Sequence, residues 1–264
     1  MLNRKKHLGQ HFLNNKKILE EMARAAEISK NDIVLEVGPG LGSLTEILAA
    51  RAKKVIAVEK DRELIPILRE RFRNYKNVEI IQGDILKIEN WKVKIGNFKV
   101  VANLPYYITS RFLRLFLSQT EFGSKLMVLM VQKEVAERIC AKPPKMNLLA
   151  LSVQLYAKPE IIRKVSKGQF SPPPKVDSAI IKISLRRPTS KSEQILALAK
   201  IAFQQKRKML RHSLKHVTCN IKHETRDSSF MLHDSRFNRR PEELSLEDWS
   251  GLTQHLLIKG ESGE

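Results

Sequence analysis

Short runs of apolar, largely β-branched residues alternate along the chain with stretches whose apolar positions recur every three or four residues. The runs are Ile33–Val37, Val55–Val58, Val78–Ile81, Phe98–Ala102 and Leu126–Val131. Each has the length of a buried strand. Ile18, Leu19, Met22 and Ala26, and later Leu44, Ile47 and Leu48, keep the spacing of one helix face. Strands alternating with helices predict an α/β fold with a doubly wound, mostly parallel sheet. Leu126–Val131 is wholly apolar and is expected inside that sheet. Leu151–Ala157 and Ala179–Leu185 read as two further strands at an antiparallel edge. Asp61 is placed to cap the helix after the second run, and Pro66 to bend it about one turn in. Arg186 to Ser192 lacks apolar residues and holds Pro188, and beyond it the pattern is wholly helical. The expected domains are 1–187 and a small all-helical one over 188–264.

The first strand runs into Gly38-Pro39-Gly40-Leu41-Gly42, with Leu44 opening a helix. Strand, tight turn and helix make the opening of a nucleotide-binding unit. Glycines let the backbone take positive φ and come close to a ligand. A dinucleotide cradle wants G-x-G-x-x-G. Here Gly42 stands one residue early, and Pro39 removes an N–H. Glu36-x-Gly38-x-Gly40-x-Gly42 looks instead like the first motif of the Rossmann-like, S-adenosylmethionine-dependent methyltransferases. On this stretch alone a dehydrogenase stays open.

Ligands of open α/β sheets sit outside the C-terminal strand ends. Four such ends carry candidate groups: Gly38 and Gly40, Glu59, Asp84, and Asn103. Glu59 lies 21 residues beyond Gly38, about the spacing from which an acid reaches ribose hydroxyls. Asp84 follows a glycine, so its carboxylate could accept from an adenine amino group while Ile85 covers the ring. Either acid alone reads equally well as a cap or turn residue. At successive strand ends they read together as an adenosyl site.

Asn103-Leu104-Pro105-Tyr106 carries the most specific chemistry. An exocyclic adenine amine is a poor nucleophile because its lone pair is delocalised into the ring. The Asn103 side-chain oxygen and the Leu104 carbonyl are two acceptors for its hydrogens. Accepting from both favours a pyramidal nitrogen with a localised lone pair. Pro105 stiffens the turn and aims that carbonyl. Tyr106 offers a face for a base taken out of its helix. Positioning supplies most of the catalysis, and neither a strong base nor a metal is required.

Lys plus Arg number 48 against 28 Asp plus Glu, a net charge of +20. That surplus points to a polyanion, nucleic acid before an anionic membrane. From Pro188 onward there are 13 basic and 10 acidic residues, which leaves 35 and 18 for the first domain. An RNA footprint must therefore include the first domain. From Gln194 to His223 there is no carboxylate, and Phe203, Leu210, Leu214 and Val217 repeat at helical spacing. One amphipathic helix is expected there, with Lys200, Lys206, Arg207, Lys208, Arg211, Lys215 and Lys222 facing phosphates. Cys140 and Cys219 show neither metal spacing nor a disulfide framework. The basic N-terminus lacks an apolar signal region, and no run approaches the ~20 residues of a membrane span. A cytoplasmic protein without metal or membrane is expected.

Asn103–Tyr106, Gly9-Gln10-His11-Phe12-Leu13 and Phe170-x-Pro-Pro-Pro-Lys-Val-Asp-Ser178 together resemble the KsgA family of ribosomal RNA adenine dimethyltransferases. Val131–Arg138 and Arg240–Ser245 match it too, so the resemblance runs from Lys5 to Trp249. It implies a bacterial enzyme that dimethylates N6 of two adjacent adenosines in the 3′-terminal hairpin of 16S ribosomal RNA, acting as a monomer on the small subunit or its precursor. By motif position it implies S-adenosylmethionine contacts from Gln10, His11, Leu13, Gly38, Gly40, Glu59, Asp84, Ile85 and Asn103. Asn103, Leu104, Pro105 and Tyr106 would hold the target base, with Phe170 on its other face. His11 stands where many members have Asn, and Pro143–Leu149 lacks the Gly-containing turn of the family. The rivals are an Erm-type enzyme acting on 23S ribosomal RNA and a non-catalytic RNA-binding assembly factor on the same fold.

Overall fold

The structure, a computed structural model, describes residues 11–13, 15–90, 97–118, 124–186, 189, 191–215 and 234–257. It divides the chain into two compact units: one up to Glu137 with Ala157–Arg186, the other Arg138–Tyr156 with the chain from 187 onward.

The first unit is built on a seven-stranded sheet. Its strands are β2 (Ile33–Val37), β3 (Lys54–Glu59), β4 (Val78–Gln82), β5 (Phe98–Asn103), β6 (Ser124–Gln132), β7 (Ala157–Val165) and β9 (Ser178–Leu185). Their order is β4-β3-β2-β5-β6-β9-β7. The first five pair in parallel, while β9 and β7 close the far side as antiparallel strands. The chain steps outward from β2 through β3 to β4, then returns to β5 on the other side of β2. That reversal opens a crevice outside the carboxyl ends of β2 and β5, where ligands of such sheets bind. β6 buries Leu126 to Val131 between β5 and β9, as its apolar run requires.

Helices α1 (Lys16–Ala25) and α2 (Ser43–Arg51) share a core with the sheet that includes Ile18, Met22, Leu48, Val34 and Val128. Asn15 caps α1 by accepting from the Lys17 N–H at 3.0 Å. Just before it the short strand β1 (Phe12–Leu13) pairs antiparallel with β8 (Phe170–Ser171). Helix α3 (Leu64–Arg71) follows β3. Pro66 is its third residue, so it removes an N–H that has no partner within the helix and need not bend it. Asp61 accepts from the Glu63 N–H at 3.2 Å, which orders the turn into α3.

Two expectations fail in the second unit. The strand expected over Leu151–Ala157 is helix α6 (Leu148–Gln154), and extended structure begins only at Ala157. Asn147 caps it by accepting from the Ala150 N–H at 3.0 Å. Leu148, Leu151 and Leu155 then pack with Ile195, Leu198, Phe237 and Trp249. A short apolar run does not declare its own period, and the cap with this packing decides for helix. Residues 138–156 accordingly belong to the helical unit and not to the domain expected over 1–187.

The single basic helix is also broken. Helix α7 (Ser192–Gln204) ends before Lys206, and α8 (Leu210–Ser213) starts after Met209. In an unbroken helix the Leu210 N–H would bond to the Lys206 carbonyl. Instead it bonds to the Arg239 carbonyl at 2.9 Å, and Lys208 closes a turn onto Gln205. Lys206, Arg207 and Lys208 are therefore exposed on the turn, off the helix that carries Arg211. The unit is completed by α9 (Leu246–Leu257), which buries Trp249 and Leu252. Val217 and Lys222 lie outside the described residues.

Candidate active site

The turn after β2 holds Gly38, Gly40 and Gly42 at φ of 67°, 59° and 86°. The first glycine N–H donates to the Val58 carbonyl at 2.9 Å, which ties the turn to β3. A Cβ on Gly40 would lie 2.9 Å from the Phe12 ring, and one on Gly42 2.6 Å from the Phe72 ring. Neither position admits a side chain as built, and both conformations suit glycine.

Glu59, at the end of β3, is 7 % exposed. Its Oε2 accepts from the Gly40 N–H at 3.2 Å and its Oε1 from the Asp61 N–H at 2.8 Å. Burial raises its pKa, and these backbone bonds partly offset that. Asp84, after β4, pairs with Lys60 Nζ at 2.9 Å and accepts from the Leu86 N–H at 3.0 Å. Burial alone would raise the Asp84 carboxyl. The hydrogen bonds from Lys60 and Leu86, with the Lys60 charge, hold it below its ordinary value.

Asn103 ends β5 and gives its Nδ2 hydrogen to the His11 carbonyl at 3.2 Å. That leaves Oδ1 as the acceptor. The Leu104 N–H donates to the Met130 carbonyl at 3.3 Å, which pins the turn to β6. Tyr106 stands in a 3₁₀ turn over Tyr106–Ile108, its hydroxyl 2.7 Å from the buried Ser178 hydroxyl. Burial pushes the Tyr106 phenol up, against the pull of the Ser178 hydrogen bond. The His11 ring stacks beside Tyr106 with centroids 6.0 Å apart and planes at 24°. His11 Nδ1 donates to the Pro172 carbonyl at 2.8 Å, which fixes its tautomer.

One open pocket collects His11, Leu13, Gly38, Gly40, Glu59, Asp84, Ile85 and Asn103 to Tyr106 along its walls. All lie in the first unit, and they come from four strand ends plus the N-terminal arm. Gln10 lies outside the described residues. Phe170 is not brought to the pocket. It is 4 % exposed and sits in the core with Leu13, Ile18 and Val165. In the β1–β8 ladder it stands opposite Leu13, and with its ring buried in this core Phe170 has no face free to stack on a base in this arrangement.

Glu36 is the site residue that sequence reading passed over. It lines the pocket at 1 % exposure, and its Oε2 has no hydrogen-bond partner among the described residues. Burial pushes its carboxyl up to about 8, with the Glu59 charge adding to the rise and the nearby Thr45 hydroxyl opposing it. Its signal was an acid two residues before the first glycine, read as motif rather than as chemistry.

The cations of the second unit, Lys206, Arg207, Lys208, Arg211 and Lys215, are all exposed. Arg211 donates to Asn238 Oδ1 at 3.1 Å. Among the described residues no group of His, Cys, Asp and Glu side chains could hold a metal, and no helix is long and apolar enough to cross a membrane.

A family model described as ribosomal RNA adenine dimethylase matches residues 1–254. The chain belongs to this dimethylase family. Its dimethylase relatives include ribosomal RNA small subunit methyltransferase A of Alkaliphilus metalliredigens, 40 % identical over 96 % of this chain and 92 % of the relative. The protein of the same name from Dehalococcoides mccartyi strain CBDB1 is 47 % identical over 81 % of this chain and 75 % of the relative. Among solved structures, a dimethyladenosine transferase from Plasmodium falciparum superposes with TM-score 0.79 at 30 % identity, covering 95 % of this chain and 98 % of that one. The 23S rRNA methyltransferase ErmE gives 0.70 at 26 % identity, over 93 % and 99 %. The α/β dimethylase fold and the methyltransferase class expected from the sequence thus hold.

Proposed function

We propose that this dimethylase transfers methyl groups from S-adenosylmethionine to N6 of two adjacent adenosines in the 3′-terminal hairpin of 16S ribosomal RNA. It would act as a monomer in the cytoplasm, on the small subunit or its precursor. The observation that carries the reading is Asn103, whose amide nitrogen is tied to the His11 carbonyl in the wall of the pocket that also holds Glu59 and Asp84. Its side-chain oxygen is thereby held as an acceptor in the wall of that pocket.

The residues present fit the methyl donor. The glycine turn offers backbone where a Cβ would be blocked, Glu59 suits ribose hydroxyls, and Asp84 with Ile85 suits an adenine edge and face. When bound, S-adenosylmethionine supplies an electrophilic sulfonium methyl. The chain then has to hold the target amine in line with it. Asn103 Oδ1 and the Leu104 carbonyl accept the amine hydrogens, and Pro105 keeps the carbonyl aimed. Tyr106, locked by Ser178, offers a ring face to the extruded base.

Relatives at 40 % and 47 % identity bear a small-subunit name, whereas ErmE is 26 % identical, which favours the small subunit over the 23S reading. The intact pocket speaks against a non-catalytic assembly factor. Transfer of label from methyl-labelled S-adenosylmethionine to undermethylated small subunits tests the proposal. Incorporation by the wild type and its loss in Asn103→Ala are expected; no incorporation by the wild type would refute it.

A further inference from the structure

Tyr107 follows Tyr106 in the catalytic turn but faces elsewhere. The turn is closed by the Ile108 N–H on the Pro105 carbonyl at 3.1 Å, and successive residues of a 3₁₀ turn point about 120° apart. Tyr106 is half-buried and bonded to Ser178, while Tyr107 is 54 % exposed at the rim of the same pocket. A tyrosine that exposed is not there for packing. Lys60 lines the same pocket, and it lies within electrostatic reach of both the Tyr107 phenol and the Arg111 guanidinium. Arg111 is exposed near the start of the helix Thr109–Ser118. Lys60 gives one hydrogen to Asp84 and keeps 54 % of its side chain exposed, so its ammonium still faces solvent. An exposed ring with cations near it at a pocket mouth is how proteins hold one nucleotide of a single strand, the base on the ring and the phosphate on the cations.

We infer that Tyr107, Lys60 and Arg111 form a subsite for the nucleotide next to the adenosine being methylated. This rests on the proposed function. Extruding one base from a stack uncovers a face of its neighbour. Where two adjacent adenosines are the targets, that neighbour is the second target. Tyr107 covers the uncovered face and holds the second adenosine one nucleotide from the pocket, while Lys60 and Arg111 take the phosphates on either side.

The test uses small subunits whose 16S RNA carries either both adenosines or one adenosine and an abasic neighbour. Tyr107→Ala should weaken binding to the intact subunit about five- to a hundredfold. Tyr107→Phe, which keeps the ring, should stay within about twofold. On the abasic subunit both variants should bind like the wild type, because the stacking partner is gone. Equal losses for Tyr107→Ala on both subunits, or no loss on the intact one, would overturn the inference while leaving the proposed function standing. Wild-type methyl transfer is followed in the same assay. Its absence would refute the proposed function and this inference with it.

Discussion

Asn103 donates its side-chain Nδ2 hydrogen to the backbone carbonyl of His11 across 3.2 Å, and this bond decides which way the amide faces. The acceptor at the end of β5 is thus oriented by the N-terminal arm, which is itself held by the β1–β8 ladder and by His11 Nδ1 on Pro172.

The orientation separates two substitutions. Asn103→Ala deletes the acceptor and should lower the single-turnover methylation rate by roughly a hundredfold or more, while RNA affinity changes little. Asn103→Asp keeps an acceptor but sets a carboxylate oxygen against the His11 carbonyl, so it should fail as well. An active Asn103→Asp, measured by single-turnover transfer, would show that the amide's orientation does not matter.

Glu59 holds the glycine turn through the Gly40 N–H and, on the proposed function, also meets the ribose. A charge-assisted hydrogen bond is worth ~1.5–3 kcal/mol. Glu59→Ala should therefore weaken S-adenosylmethionine binding roughly ten- to a hundredfold by calorimetry. Unchanged affinity would remove Glu59 from the cofactor site.

Glu36 makes stability depend on pH. Its carboxyl is pushed up to about 8 in the folded protein, against an ordinary value of 4.5. Between those values the native state keeps a proton that the unfolded chain has released. Stability from this group is present below 4.5 and is lost as pH rises toward 8, by about 1.4 kcal/mol per unit. Glu36→Gln keeps the neutral shape and should remove that slope. The melting temperature of the variant should gain on the wild type from pH 5 to pH 8; parallel curves would mean that Glu36 is not held protonated.

Much of this was legible in the sequence, for physical reasons that can be named. The five parallel strands are short apolar runs bounded by turns, and their ends carry Gly38, Glu59, Asp84 and Asn103, so both the sheet and its ligand edge could be read off. Three features could not. Leu148–Gln154 is apolar enough for either helix or strand, and Asn147 with a distant core makes it helix. Phe203, Leu210 and Leu214 keep helical spacing through a turn, because a long-range bond from Leu210 to Arg239 replaces the bond within the helix. Phe170 carries a motif's identity, yet its direction is set by pairing with Leu13 across 157 positions of sequence. In each case a non-local contact chose between local alternatives.

The basic turn gives a prediction of its own. Lys206, Arg207 and Lys208 are consecutive and exposed between α7 and α8. On the proposed function they meet RNA phosphates, which position an RNA without reading its sequence. Changing all three to Gln should weaken RNA binding and make the log–log salt dependence shallower by roughly 0.7–0.9 per lost contact. Parallel salt lines for wild type and variant would mean that the turn stays in solvent.

Mapping modified nucleotides by mass spectrometry shows directly which RNA receives the methyl groups. Undermethylated small subunits are incubated with the protein and S-adenosylmethionine, and the 3′-terminal hairpin is excised. Two adjacent N6,N6-dimethyladenosines are expected there and none in large-subunit RNA treated in parallel. Methylation confined to large-subunit RNA, or an unmodified hairpin, would overturn the proposed function.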